Sequence, residues 1–143
     1  MAQQVYSWTC SICTITWVLN STEVSQDSRQ TVGDVLGYPG CVNETYGLMG
    51  AQCMINCFAQ YGLLALEKWV GFDEAFSIAQ HHTGGISPSG MYHWMAIRGV
   101  DEYGGSIWVA NSARGYKGVW DTLSRDQFNA FGPVKVVYVE SYI

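Results

Sequence analysis

Residues 91–111 read MYHWMAIRGVDEYGGSIWVAN and predict two antiparallel strands joined by a tight turn. Residues 91–100 and 106–111 are rich in apolar side chains, and the polar, glycine-rich DEYGG between them is typical of a hairpin turn. Side chains alternate along a strand, so one face of the first strand would carry Met91, His93, Met95 and Ile97. A histidine in such an apolar strand is unexpected unless other polar groups bind it.

The chain before this hairpin has mostly helical patterns. A helix is predicted from Cys10, with Thr9 as N-cap and an apolar stripe that ends at Leu19. Further helices are predicted over 28–36, 48–61 and 73–80, a strand over 63–70 and a loop over 84–90. After the hairpin come short strands at 117–120 and 133–140, separated by a helix that Ser124 and Gln127 start as a capping box. Helices followed by antiparallel strands indicate an α+β fold.

Length and composition fit one domain over residues 1–143, long enough for a real core, and exclude several function classes. The net charge is -5, from 7 Lys+Arg and 12 Asp+Glu, and no basic run is present to neutralise phosphates, so nucleic acid is not an expected partner. No stretch has the length of a membrane span or the features of a signal peptide. We expect synthesis in the cytoplasm, no membrane association and a monomer.

The five cysteines are an odd number, so they cannot all pair internally, and in a reducing compartment free thiols are expected. Cys13, Cys53 and Cys57 lie on apolar helical patterns, which favours packing roles, and Cys41 follows a Pro-Gly turn. Zinc is an alternative because Cys10 with Cys13 and Cys53 with Cys57 form spaced pairs. Zinc pairs usually lie in turns, so the prediction is that no metal or cofactor is present.

One set of polar residues has the order that a thiol hydrolase needs. Cys10 begins a helix, and the positive end of the helix dipole together with a nearby imidazole lowers a thiol pKa from about 8.5 to roughly 3.5–7.5. His93 would be the base and Asn111, at the end of the next strand, would orient its ring. Gln4 and the Cys10 N–H would stabilise the oxyanion, where one donor is typically worth about 3–4 kcal/mol.

Each of these residues also has a structural interpretation. Cys10 could be an ordinary buried thiol, and Asn111 could cap a strand end. His81 and His82 are rival bases, although their place at a helix C-terminus has its own electrostatic explanation. Trp8 and Trp94, adjacent to the proposed catalytic residues, could line a substrate groove or pack in the core.

The chain resembles the papain-like cysteine peptidase superfamily in the order of Gln4, Cys10, His93 and Asn111-Ser112. The shorter spacing and the HWMAIRGV strand resemble the C39-like branch of that superfamily. YSWTC (6–10), YGLM (46–49) and GMYH (90–93) are similar to the N-terminal peptidase domain of mycobacteriophage endolysins of the lysin A type. Two departures are Asn111, where bacteriocin-processing C39 members often carry Asp, and Ser-Ile-Cys at 11–13, where many relatives have a small Gly-Pro-like pair.

The resemblance implies an N-terminal helical lobe that bears the thiol and packs on a C-terminal antiparallel β-sheet. It also implies a cysteine peptidase module of a longer endolysin, which hydrolyses peptidoglycan peptides at the cell wall after a holin has opened the host membrane. Two alternatives remain open at this stage. One is a bacteriocin-type leader peptidase that cuts after Gly-Gly, and the other is a non-catalytic cell-wall or protein-binding module on the same fold.

Overall fold

The computed structural model of the chain describes residues 10–22, 41–43, 47–48, 50–88, 93–111 and 122–143. Its elements, in chain order, are α1 (Cys10–Ser21), β1 (Val42–Asn43), β2 (Gly47–Leu48), α2 (Ala51–Gln60), β3 (Leu63–Val70), α3 (Phe72–His81), β4 (Gly84–Pro88), β5 (Met95–Asp101), β6 (Ser106–Ala110), β7 (Thr122–Leu123), α4 (Arg125–Ala130) and β8 (Val134–Tyr142). The helix predicted at 28–36 and the strand predicted at 117–120 lie outside the described residues.

Strands β3 to β8 form one six-stranded antiparallel sheet with the order β3-β8-β4-β5-β6-β7. Helices cover both of its faces. On one face α1 and α2 pack on Ala65, Ala96 and Val137. On the other, α3 and α4 pack on Met95, Ile97 and other alternate residues of the same strands. The α+β prediction, with helices packed on an antiparallel sheet, is confirmed.

The loop predicted over 84–90 is wrong, because Gly84–Pro88 is strand β4, which pairs with both β5 and β8. Its glycines resemble turn residues in the sequence, but Gly84 is present for a packing reason. A Cβ there would collide with the backbone of Val137 and Tyr138 in the neighbouring strand. Glycine inside a strand often marks such a close approach of two backbones.

Two predicted boundaries also change. The helix predicted over 48–61 is α2, and it begins at Ala51 rather than at 48. Leu48 instead belongs to β2, where it pairs with Val42. Strand β5 begins at Met95, so His93 precedes the strand instead of lying within it. Met95 and Ile97, predicted to share one face of the strand, do pack in the same core.

The hairpin and the capping box are confirmed. The Asp101 carboxylate accepts hydrogen bonds from the N–H groups of Tyr103 and Gly104 at 3.1 and 3.0 Å, which closes the turn between β5 and β6. Ser124 and Gln127 make reciprocal hydrogen bonds at the start of α4. Across the described ranges, none of the helices has the length and apolar character needed to span a membrane.

The cysteine prediction needs correction, because Cys41 and Cys53 form a disulfide with a Cα–Cα separation of 5.9 Å. Cys53 therefore does not act only as a packing residue, and the Cys53–Cys57 pair is not available to zinc. Cys10, Cys13 and Cys57 carry thiols and are buried. In the described part of the chain, no three His, Cys, Asp or Glu side chains are grouped as metal ligands would be.

Candidate active site

Cys10 is the first residue of α1, and the sheet beneath that helix determines how closely the sulfur approaches β5. The residues under α1 are small and lie side by side across three strands, since Gly85 pairs with Ala96 and Ala96 pairs with Ala110. A Cβ at Gly85 would lie 3.3 Å from the Thr14 methyl group of α1. Small side chains here let the helix pack close to the sheet.

The Cys10 sulfur is held against the chain immediately after His93. The backbone N–H of Trp94 donates a hydrogen bond to Cys10 Sγ at 3.4 Å, and the sulfur is buried, with Cys10 only 1% exposed. An N–H donor and a helix N-terminus both stabilise negative charge on sulfur. These two features oppose the effect of burial, which disfavours the charged thiolate that attacks a carbonyl.

His93 and Asn111 are joined by a hydrogen bond of 2.8 Å between Nε2 and Asn111 Oδ1. The register of β5 and β6 explains how they meet, because Ala96 pairs with Ala110 and the next residues bring Asn111 level with the start of β5. A carbonyl oxygen only accepts, so Nε2 carries the proton. In the neutral ring Nδ1 is then the unprotonated nitrogen, which can act as a base.

The environment of His93 favours its neutral form. Burial lowers the pKa of the His93 imidazole, because a charged ring loses hydration there, while the hydrogen bond to Asn111 partly opposes this effect. A neutral ring with its proton fixed on Nε2 is the state that a general base requires.

The rival histidines lie elsewhere. His82 Nδ1 is hydrogen-bonded to the Val139 carbonyl oxygen at 2.9 Å, and its ring packs on Tyr138. His81 is exposed at the end of α3. The structure therefore brings Cys10, His93 and Asn111 together and leaves His81 and His82 apart from them.

The other predicted site residues have different outcomes. Gln4 and Trp8 lie outside the described residues, so their roles stay predictions. Trp94 is buried in the core between α1 and the sheet, where its ring would be 3.0 Å from a Cβ at Gly85. This position favours packing over a groove wall. Its backbone N–H, however, contacts the sulfur directly, and no side-chain pattern in the sequence indicates a backbone donor.

No protein-family profile and no curated protein matches this chain. Solved structures that share its fold include the following two. A double glycine motif protease from an AMS/PCAT transporter, in complex with its leader peptide, matches with a TM-score of 0.67 and 15% identity over 98% of this chain and 91% of that one. The peptidase domain of Streptococcus ComA, a bi-functional ABC transporter involved in quorum sensing, matches with a TM-score of 0.69 and 11% identity over 97% of both chains.

Identities this low establish the fold alone. The shared feature is a set of helices packed on a six-stranded antiparallel sheet, with the match extending over nearly the whole of each chain. This chain therefore has the fold of the C39-like peptidase domains, within the papain-like architecture.

Proposed function

We propose that this chain is a cysteine peptidase that cleaves an amide bond through an acyl-enzyme. The observation that carries the proposal is the contact between the Cys10 sulfur, at a helix N-terminus, and the peptide unit that follows His93, whose ring is hydrogen-bonded to Asn111. A nucleophile, a base and an orienting group on three separate segments are what thiol-based acyl transfer requires.

The chemistry follows from the two ring nitrogens of His93. Nδ1 accepts the Cys10 proton, the sulfur adds to the substrate carbonyl carbon, and the imidazolium returns the proton to the leaving amine as the C–N bond breaks. Water, deprotonated by His93, then attacks the thioester and releases the acid and the Cys10 thiol. Asn111 accepts from Nε2–H throughout, so the ring keeps its orientation. Gln4 remains the proposed side-chain oxyanion donor.

The first candidate substrate is a polypeptide cut after a Gly-Gly pair. Its support is the likeness in fold to a double glycine motif protease bound to its leader peptide and to the peptidase domain of an ABC transporter.

A second candidate substrate is a peptide of the bacterial cell wall, as the endolysin resemblance implies. The Cys41–Cys53 disulfide favours it, because disulfides persist in oxidising surroundings rather than in the cytosol. A role in the lysis of a host after holin-mediated release belongs to this second candidate.

The test compares the wild type with Cys10→Ala and with Cys57→Ala, a buried thiol in α2, as the matched control. We expect Cys10→Ala to lower hydrolysis by about a thousandfold or more, because no other group can form the acyl-enzyme, and Cys57→Ala to retain activity. Separate assays use a Gly-Gly leader peptide and purified peptidoglycan, with new amine groups and mass spectrometry as readouts.

Equal hydrolysis by the wild type and Cys10→Ala would contradict the proposal. Hydrolysis of only one of the two substrates would choose between the candidates. Binding by both proteins without any hydrolysis would support a non-catalytic module on this fold.

A further inference from the structure

A second thiol lies in the first turn of α1. Cys13 follows Cys10 by three residues, both carry thiols, and they are buried with exposures of 1% and 2%. In an α-helix, Cα atoms three residues apart are separated by about 5 Å, within the about 4.4–6.8 Å that a disulfide spans. Helix side chains point back toward the N-terminus, so the Cys13 side chain extends toward Cys10, the first residue of α1.

Cys10 is the thiol of this pair that an oxidant attacks first. The Trp94 N–H and the helix N-terminus both stabilise its thiolate. Thiolate character and access determine which cysteines are oxidised, and in the proposed function a substrate carbonyl reaches this sulfur, so a smaller peroxide can reach it too. The Cys41–Cys53 disulfide is consistent with surroundings in which oxidants are present. Oxidation of an isolated catalytic thiol beyond the sulfenic acid is irreversible for most proteins.

The other cysteines are poor partners for an oxidised Cys10. Cys41 and Cys53 are paired with each other. Burial raises the pKa of the Cys57 thiol to about 11, so Cys57 stays protonated and is a weak nucleophile. The chain has five cysteines, and Cys13 is the one that remains.

We propose that Cys13 is a resolving thiol that protects Cys10 through a reversible disulfide. Hydrogen peroxide transfers one oxygen to the Cys10 sulfur, which breaks the O–O bond of the peroxide, forms a sulfenic acid and releases one water. The Cys13 sulfur then attacks the sulfenyl sulfur and expels hydroxide, which leaves as a second water with the Cys13 proton. A dithiol reductant restores both thiols. That this disulfide switches catalysis off rests on the proposed function. Formation of the disulfide itself does not depend on any substrate.

The experiment treats the purified wild-type chain with hydrogen peroxide, blocks remaining thiols with an alkylating agent and maps the peptides by mass spectrometry. We expect a Cys10–Cys13 cross-link that dithiothreitol reverses, with activity returning in parallel. In Cys13→Ser the same treatment should leave Cys10 with two or three added oxygens, and activity should not return. Cys57→Ala is the control and should behave as the wild type.

Sulfinic or sulfonic Cys10 in the wild type, or a Cys10–Cys57 cross-link, would overturn the inference. The wild-type peptide map decides this even where Cys13→Ser fails to fold. A chain that hydrolyses no peptide but forms the Cys10–Cys13 cross-link would refute the proposed function alone. An active chain whose peroxide inactivation is irreversible would refute the resolving role alone.

Discussion

At the residue scale, the hydrogen bond between His93 and Asn111 determines which nitrogen of the neutral His93 ring lacks a proton. Asn111 Oδ1 can only accept, so it holds the proton on Nε2 and leaves Nδ1 unprotonated, as the proposed mechanism requires of a base. The Trp94 N–H adds a second constraint, because it holds the Cys10 sulfur beside the same short segment that carries His93. Together the two contacts specify the ring nitrogen that is unprotonated and the position of the sulfur, which the residue types alone do not.

Asn111→Ala should lower kcat by about ten- to a hundredfold, since a lost hydrogen bond to a buried group costs about 1–3 kcal/mol. Asn111→Asp is the matched control, because it keeps the acceptor. Its negative charge should raise the pKa of His93 and move the acidic limb of the pH–rate profile to higher pH. Steady-state kinetics over a pH series tests both variants, and an unchanged kcat in Asn111→Ala would refute the orienting role.

His93 should also make stability depend on pH. Its folded-state pKa is lowered by burial from the ordinary value of about 6.5, so the unfolded chain binds more protons in the window between the two values. The free energy of unfolding should therefore fall as the pH drops below about 6.5 and level off below the folded pKa, with a slope of at most about 1.4 kcal/mol per pH unit.

Urea unfolding over a pH series measures this effect in a Cys10→Ala background, where the thiol cannot titrate together with the ring. The comparison is Cys10→Ala with and without His93→Gln. Parallel stability curves for these two proteins would show that the pKa of His93 is the same in the folded and unfolded states.

Much of the candidate site could be predicted from residue types and their order, because Cys10 at a helix start and Asn111 after the hairpin strand are local features. The Trp94 N–H could not be predicted, since a backbone donor leaves no mark on the sequence. Residue types alone could not favour His93 over His82 as the candidate base. The folded sheet separates them, because the His82 ring is hydrogen-bonded to the backbone carbonyl oxygen of Val139.

At the scale of elements, β4 shows how long-range pairing can override a local pattern. Its GGISP sequence is typical of a loop, yet the segment is a strand between β8 and β5. Glycine is needed at position 84 because a Cβ there would collide with the backbone of β8. By contrast, the capping box of α4 and the turn at Asp101 were predictable, because all of their hydrogen bonds join residues close in the sequence.

Gly84→Ala should destabilise the fold by about 3 kcal/mol or more, because its Cβ would meet the backbone of Val137 and Tyr138, which cannot rotate away. Gly71→Ala is the control, since a Cβ there has no neighbour within 4 Å, and it should cost about 1 kcal/mol or less as a helix N-cap. Thermal and urea unfolding measure both. Equal stability of the two variants would mean that β4 can shift away from β8.

At the scale of the whole molecule, the Cys41–Cys53 disulfide links the β1 segment to α2, which packs in the same core as α1. The pairing could not be predicted, because five cysteines allow many pairings and the partners are adjacent only in the folded chain. The presence of the disulfide also changes the expectation that all thiols stay reduced.

Reduction of this disulfide should lower the free energy of unfolding by about 3 kcal/mol, the value that the chain-entropy relation gives for a loop of this size, with 12 residues separating the two cysteines. Urea unfolding with and without a dithiol reductant measures the change. The double variant Cys41→Ser/Cys53→Ser should have the stability of the reduced wild type and should not respond to the reductant. An equal response in both proteins would assign the effect to another cause.

The sheet order has a consequence for the timing of synthesis. Strand β8, residues Val134–Tyr142, is last in the sequence but lies between β3 and β4 in the sheet. While the ribosome is still making these residues, β3 has no partner, and β4 has a partner only on its β5 side. The nascent chain therefore cannot complete the six-stranded sheet until translation has passed Tyr142, whereas β5 and β6, which bring His93 and Asn111 together, can pair earlier.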